Sequence, residues 1–245
     1  MVRQMPRASR RAALWDFFGP LTWGMRVGWR RAFRGIRIRG ASATAVLFGV
    51  ASALVAQPLV LSPPERGMAR DLVIAETLKP YSGQHVRGVD TATLDGKVVC
   101  GYQGWFNCEG DGAGLGWIHW GRDRKRPPGP GNITIDLWPD TSELGPGELF
   151  PSDFRMPDGR PAMLFSSFNH ATVVRHFRWM REYGIDCAFV QRFLSAKMDP
   201  LHFRHKNVVL HNCRDGANLH GRGYAVMYDL SSMKAGQIDA VIEDW

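Results

Sequence analysis

Residues 97–122 read KVVCGYQGWFNCEGDGAGLGWIHWGR, an apolar run that passes straight into glycines, three tryptophans, a carboxylate pair and a histidine. Indole rings offer broad apolar faces, and Gln103, Asn107, Glu109, Asp111 and His119 set hydrogen-bond donors and acceptors beside them. Flat apolar surface with convergent polar groups suits a binding cleft at the carboxyl end of a strand. The same residues also fit a strand and a loose loop, with the tryptophans packed in a core. Of nine tryptophans in the chain, four lie between positions 105 and 138, which favours the cleft. Glu109 and Asp111 read as solvated loop charges.

Two other chemistries find little support. A dinucleotide loop of the G-x-G-x-x-G type starting at Gly110 needs glycine at 115, where Leu115 stands, and the run leads into Trp117-Ile118-His119-Trp120 instead of a helix. The four cysteines, Cys100, Cys108, Cys187 and Cys213, form no C-x-x-C pair and have no histidine at zinc-finger spacing. No metal or other cofactor is expected.

The elements that must position the cleft follow from periodicity. Val98–Phe106 reads as a strand, and the glycine-rich stretch with residues 122–132 as a long exposed loop. ITIDLWP (133–139) and AMLFSS (162–167) read as short strands, a hairpin excursion. From Asn169 the period becomes helical: Val173, Val174, Phe177, Met180 and Tyr183 share a stripe, Asn169 is placed to cap it, and Gly184 to end it. IDCAFVQRF gives a second strand, Val208–Leu219 a second helix, GYAVMYDLSS (223–232) a third strand, and GQIDAVIEDW the start of another helix. Apolar strands alternating with helices point to an α/β protein with parallel strands, either an open doubly wound sheet or a (β/α)8 barrel.

The segments VVCGYQGWF, GWIHWG, LWPDTSEL, VVRHFRWMREYGIDCAFVQRF and GYAVMYDLS together resemble the glycoside hydrolases of families 71 and 99, over residues 98–245. That resemblance implies a (β/α)8 barrel with the site on loops at the carboxyl ends of the strands. It also implies a carbohydrate substrate: tryptophan faces for the C–H faces of sugar rings, amides, carboxylates and imidazoles for hydroxyls. The substrate-binding residues expected on this basis are Gln103, Trp105, Asn107, Trp117, His119, Trp120, Asp136, Trp138, Gln191, Arg192, Tyr228 and Asp229. Asp229 reads equally well as a turn residue. Glycosidic hydrolysis normally takes two carboxyl groups, and in these families they come from the later half of the barrel. No stretch here matches that half, and three strands cannot close a barrel. The chain is therefore expected to hold the first three β/α units of a longer enzyme, inactive by itself. The alternative is a non-catalytic carbohydrate-binding envelope protein.

Charge divides the chain unevenly. Of 31 Lys+Arg and 23 Asp+Glu, residues 1–70 hold 12 and 2, leaving 19 and 21 for the rest. The part expected to fold is thus slightly acidic, and no nucleic-acid partner is expected. Ten arginines precede the apolar run Ala41–Leu61, ASATAVLFGVASALVAQPLVL. Basic residues before an apolar run mark residues 1–61 as an export leader, with cleavage expected after Ala53 or Ala56, or as a membrane anchor if uncleaved. Its length suits a hydrocarbon core of roughly 30 Å. Residues 62–97 read as a linker with one short helix around Val73, Ile74 and Leu78, and residues 98–245 as the incomplete barrel, placed outside the cytoplasm.

Overall fold

From His170 onward helices and strands alternate along the chain. The computed structural model describes residues 58–193, 199–231, 233–234, 236 and 238–245, all within the unit Ala51–Trp245. The leader and nearly all of the apolar run Ala41–Leu61 lie outside the described residues. Its last part, 58–61, has no regular secondary structure, and Leu59 and Leu61 pack against Ala113, Phe168 and Val208. No helix among the described residues is long and apolar enough to cross a membrane.

Three parallel strands form the main sheet: β1 (Val99–Tyr102), β4 (Cys187–Phe193) and β5 (Gly223–Asp229), in the order β1-β4-β5. Register runs Tyr102 to Val190 to Val226 across all three. The parallel connections require crossovers, supplied by α2 (His170–Glu182) between β1 and β4 and by α3 (Pro200–His220) between β4 and β5. Helix α2 starts where Asn169 Oδ1 accepts from the amides of Ala171 and Thr172, and Gly184 follows it at φ +74°. Its stripe of Val173, Phe177 and Met180 meets Tyr102, Ala188 and Val190 of the sheet and Val209, Cys213 and Ala217 of α3. Tyr183, assigned to that stripe by spacing, is 79% exposed just past the helix end. A last helix, α4, spans Asp239–Asp244. The described sheet is open, with β1 and β5 as its outer strands.

Two helices that pack this closely need a small residue at the crossing. A Cβ on Gly216 of α3 lies 2.7 Å from the ring of Phe177, which is wholly buried. Gly216→Leu is therefore expected to cost about 1–3 kcal/mol through overpacking, read as a lower thermal midpoint. An unchanged midpoint would mean the helices can separate freely.

The excursion between β1 and α2 differs from the expected hairpin. Its strands are β2 (Leu149–Arg155) and β3 (Pro161–Phe165), antiparallel with a shift in register between Pro151 and Arg155. Residues 133–139 form no strand, and the amide of Thr134 bonds instead to Trp120 O at 3.1 Å. Residues 62–97 are not a free spacer. Helix α1 (Arg70–Thr77) packs on α3 and buries Val73, while Val86 and Val89 donate to Asn218 O and Gly221 O at 2.8 and 3.0 Å. Gly221 ends α3 in the left-handed conformation, φ +60°, where a Cβ would meet the Gly88 backbone.

Candidate functional site

Side chains on a strand alternate between its two faces. Tyr102 and Val190 point to α2 and α3, so their neighbours Gln103 and Gln191 point to the opposite face. There the carboxyl ends of the three strands carry a hydrogen-bonded row. Gln103 Nε2 donates to Gln191 Oε1 at 3.4 Å, and Gln191 Nε2 donates to Asp229 Oδ2 at 2.6 Å. The row has a fixed direction, because an ionised carboxylate only accepts. Gln191 must turn its amide NH2 toward Asp229, which leaves its carbonyl for Gln103. Hydrogen bonds from the Ser231 hydroxyl and amide, together with Gln191, hold the Asp229 carboxyl below its ordinary range. Asp229 is therefore an acceptor or base at neutral pH, not a proton donor.

Beside the row stands an aromatic wall. The Trp105 ring centroid lies 5.0 Å from that of Phe193 and 5.2 Å from that of His119. His119 has φ +60°, a conformation that a non-glycine residue adopts at a cost, and it brings the imidazole back over Trp105. The wall borders a cavity of about 370 Å³, within the roughly 300–1,000 Å³ usual for small-molecule sites. Asn107 and His205 also line it, both buried, and Asn107 Oδ1 and His205 Nε2 have no hydrogen-bond partner. Burial pushes His205 down to about 3, with the charges of His202, Lys206 and His119 adding to the effect, so its imidazole is neutral. Burial also lowers His119.

The glycine-rich loop holds its shape through Asp111. Its Oδ2 accepts from Asn107 Nδ2 at 2.9 Å, the Cys108 amide at 3.1 Å and the Ser166 hydroxyl at 2.7 Å, and its Oδ1 accepts from the Ala113 amide at 2.8 Å. The carboxylate read as a solvated charge is thus the loop's internal tie. Glu109 is exposed.

Of the residues expected to bind substrate, Gln103, Trp105, Asn107, His119, Gln191 and Asp229 gather at the carboxyl end of the sheet. Trp117 and Trp120 are 4% and 3% exposed and face inward, packed with Cys108 and Leu164, and Trp120 Nε1 donates to Phe165 O at 2.9 Å. Trp138 sits on the hairpin, edge-on to Phe154 with its Nε1 donating to Met163 O, and Asp136 near it is exposed. Arg192 and Tyr228 occupy the opposite face of the sheet from Gln191 and Asp229. Both bond the carboxylate of Asp244, Arg192 Nε at 2.5 Å and the Tyr228 hydroxyl at 2.9 Å. Phe193, His205 and Lys206 enter the site without having been expected. Phe193 was readable as the residue two beyond Gln191. The other two sit in the first turns of α3, whose start was marked by Asp199-Pro200, an N-cap followed by proline at the first helical position.

No family model, no curated protein and no solved structure matches the chain. The resemblance to glycoside hydrolases of families 71 and 99 therefore stands on the quoted residues alone.

Proposed function

We propose that the protein binds carbohydrate at the carboxyl ends of β1, β4 and β5, as the sugar-gripping portion of an exported glycoside hydrolase of the family 71/99 type. Its three parallel strands are the opening units of a (β/α)8 barrel in this reading. The observation that carries it is the Gln103–Gln191–Asp229 row beside the Trp105 face. The row offers donors and acceptors for vicinal hydroxyls, and the indole offers an apolar platform for the ring between them. Export rests on the basic leader and its apolar run. Cleavage after Ala53 or Ala56 keeps Leu59 and Leu61, which pack against Phe168, with the folded part. Left uncleaved, the same run anchors the protein in the membrane.

Hydrolysis is a further step. It takes a proton donor as well as a base or nucleophile, and among the described residues Asp229 is the one carboxylate in the row. That single carboxylate favours a second reading, a carbohydrate-binding envelope protein that does not cut. Both readings require glycan binding. The full chain is expected to bind an α-linked polysaccharide, α-mannan or α-glucan, in affinity electrophoresis. Trp105→Ala is expected to weaken that binding by about 2 kcal/mol, roughly 30-fold, as loss of an aromatic anchor does. Failure to retard with α-mannan, α-glucan, xylan or arabinan would sink both readings. Reducing-end release would separate the hydrolase from the binder.

A further inference from the structure

The charged side chains that line the cavity beside Trp105 are cationic. Arg122, Arg124 and Lys206 line it with His119, His202 and His205, and no aspartate or glutamate does. The two nearby carboxylates are already engaged: Asp123 pairs with Arg126 at 2.9 Å, and Asp199 bonds His202 Nδ1 at 2.5 Å. The side chains of Arg122 and Arg124 have no ion pair or hydrogen bond among the described residues. Lys206 donates to Phe193 O and is pushed down to about 8 by burial and by the charge of Arg192, which Asp244 and Asp199 oppose. A concave site lined by one sign of charge concentrates ligands of the other.

Polar atoms inside add a second requirement. Asn107 is 0% exposed and His205 4%, yet Asn107 Oδ1 and His205 Nε2 lack partners. An orphaned buried polar atom is costly unless a water or a ligand satisfies it. Asn107 Oδ1 can only accept, so it calls for a donor such as a hydroxyl or an amide N–H, which an ionised carboxylate by itself lacks. The Trp105 and Phe193 rings ask for an apolar face. An occupant that carries a negative group, a hydroxyl and a flat C–H surface together would match all three features of the lining.

We propose that this cavity takes an acidic sugar residue, with its carboxylate or phosphate on Arg122 and Arg124, a hydroxyl on Asn107 Oδ1 and its ring against Trp105. This rests on the carbohydrate reading and narrows it to anionic glycans. Titration calorimetry on the full chain tests it with methyl α-glucoside, methyl α-glucuronide, glucose 6-phosphate and inorganic phosphate as probes. One of the two anionic sugars is expected to bind about tenfold tighter than the neutral glucoside at low salt, through at least one charge-assisted contact. Which of them does so distinguishes a uronate from a sugar phosphate. The advantage is expected to shrink as the salt is raised to screen exposed charges. The double variant Arg122→Ala/Arg124→Ala, on exposed loop positions, is expected to lose that advantage and keep the glucoside affinity. Glucoside binding that neither anionic sugar exceeds overturns the acidic-sugar assignment and leaves the carbohydrate reading intact. Phosphate binding with no sugar bound overturns the carbohydrate reading and this inference with it.

Discussion

Arg204→Met is expected to lower the stability of the protein by about 3–5 kcal/mol, the usual cost of stripping one partner from a buried ion pair. Arg204 is 1% exposed, and its guanidinium joins three separate stretches of chain to α3. Nε donates to Glu76 Oε2 at 3.1 Å, Nη1 to Gly112 O at 3.2 Å and Nη2 to Ser62 O at 2.6 Å. Burial resists ionisation of Glu76, but the Ser62 amide and the Arg204 fork outweigh it and hold the carboxyl below its ordinary value. Methionine keeps much of the volume and none of the donors, so it leaves a carboxylate and two carbonyls without their partner. Against a typical total of about 5–15 kcal/mol, that loss brings the variant close to unfolding. Lysine, a point charge without the planar fork, is expected to recover little. Urea unfolding measures the effect as a lower midpoint at constant slope. A loss under about 1 kcal/mol would show that water replaces the guanidinium at little cost.

What the sequence disclosed depended on whether burial was apolar. Helix α2 announced itself because Val173, Phe177 and Met180 recur at helical spacing between a capping Asn169 and Gly184. Strands β4 and β5 did so as apolar runs. Helix α3 was underestimated at its start, expected from Val208 and found from Pro200. Its early and middle turns bury Arg204, His205, Asn207, His211, Asn212 and Asp215, polar residues that a test for apolar periodicity passes over. Their partners come from distant sequence, as Asp215 shows by meeting His170 at 3.1 Å. Strand β2 was hidden by Pro151, which reads as a breaker yet is tolerated where the register shifts.

The site was legible in the same uneven way. Gln103, Gln191 and Asp229 could be placed at strand ends because each closes an apolar run. Arg192 and Tyr228 were placed there by adjacency, although period-two alternation assigns them to the helix-facing side. Trp105 and Trp120 have the same residue type and lie in the same glycine-rich stretch. Only the arrival of β3, whose Phe165 carbonyl takes the Trp120 indole, separates wall from core.

The pair that alternation sends to the other face carries the second large expected effect. Arg192 and Asp244 have side chains 6% and 2% exposed and meet through two bonds, Nε–Oδ2 at 2.5 Å and Nη2–Oδ1 at 2.7 Å. Arg192→Leu strands the Asp244 carboxylate with the Tyr228 hydroxyl and the more distant Arg70, and is expected to cost about 3–5 kcal/mol. Adding Asp244→Leu removes the stranded charge, and the double variant is expected to regain about 2 kcal/mol of that loss, since two apolar groups replace a desolvated pair. The pH response separates this from a simple packing effect. Burial raises the Asp244 carboxyl, but the hydrogen bonds and charge of Arg192, then Tyr228 and Arg70, hold it below its ordinary value. A depressed folded pKa means that its stabilisation is complete above the unfolded value of about 4 and drains away as pH falls through the folded one. Wild type is therefore expected to lose stability across that acid range, and the double variant to lose less over the same interval. If both curves fall in parallel, the Arg192–Asp244 pair contributes shape but no net charge stabilisation.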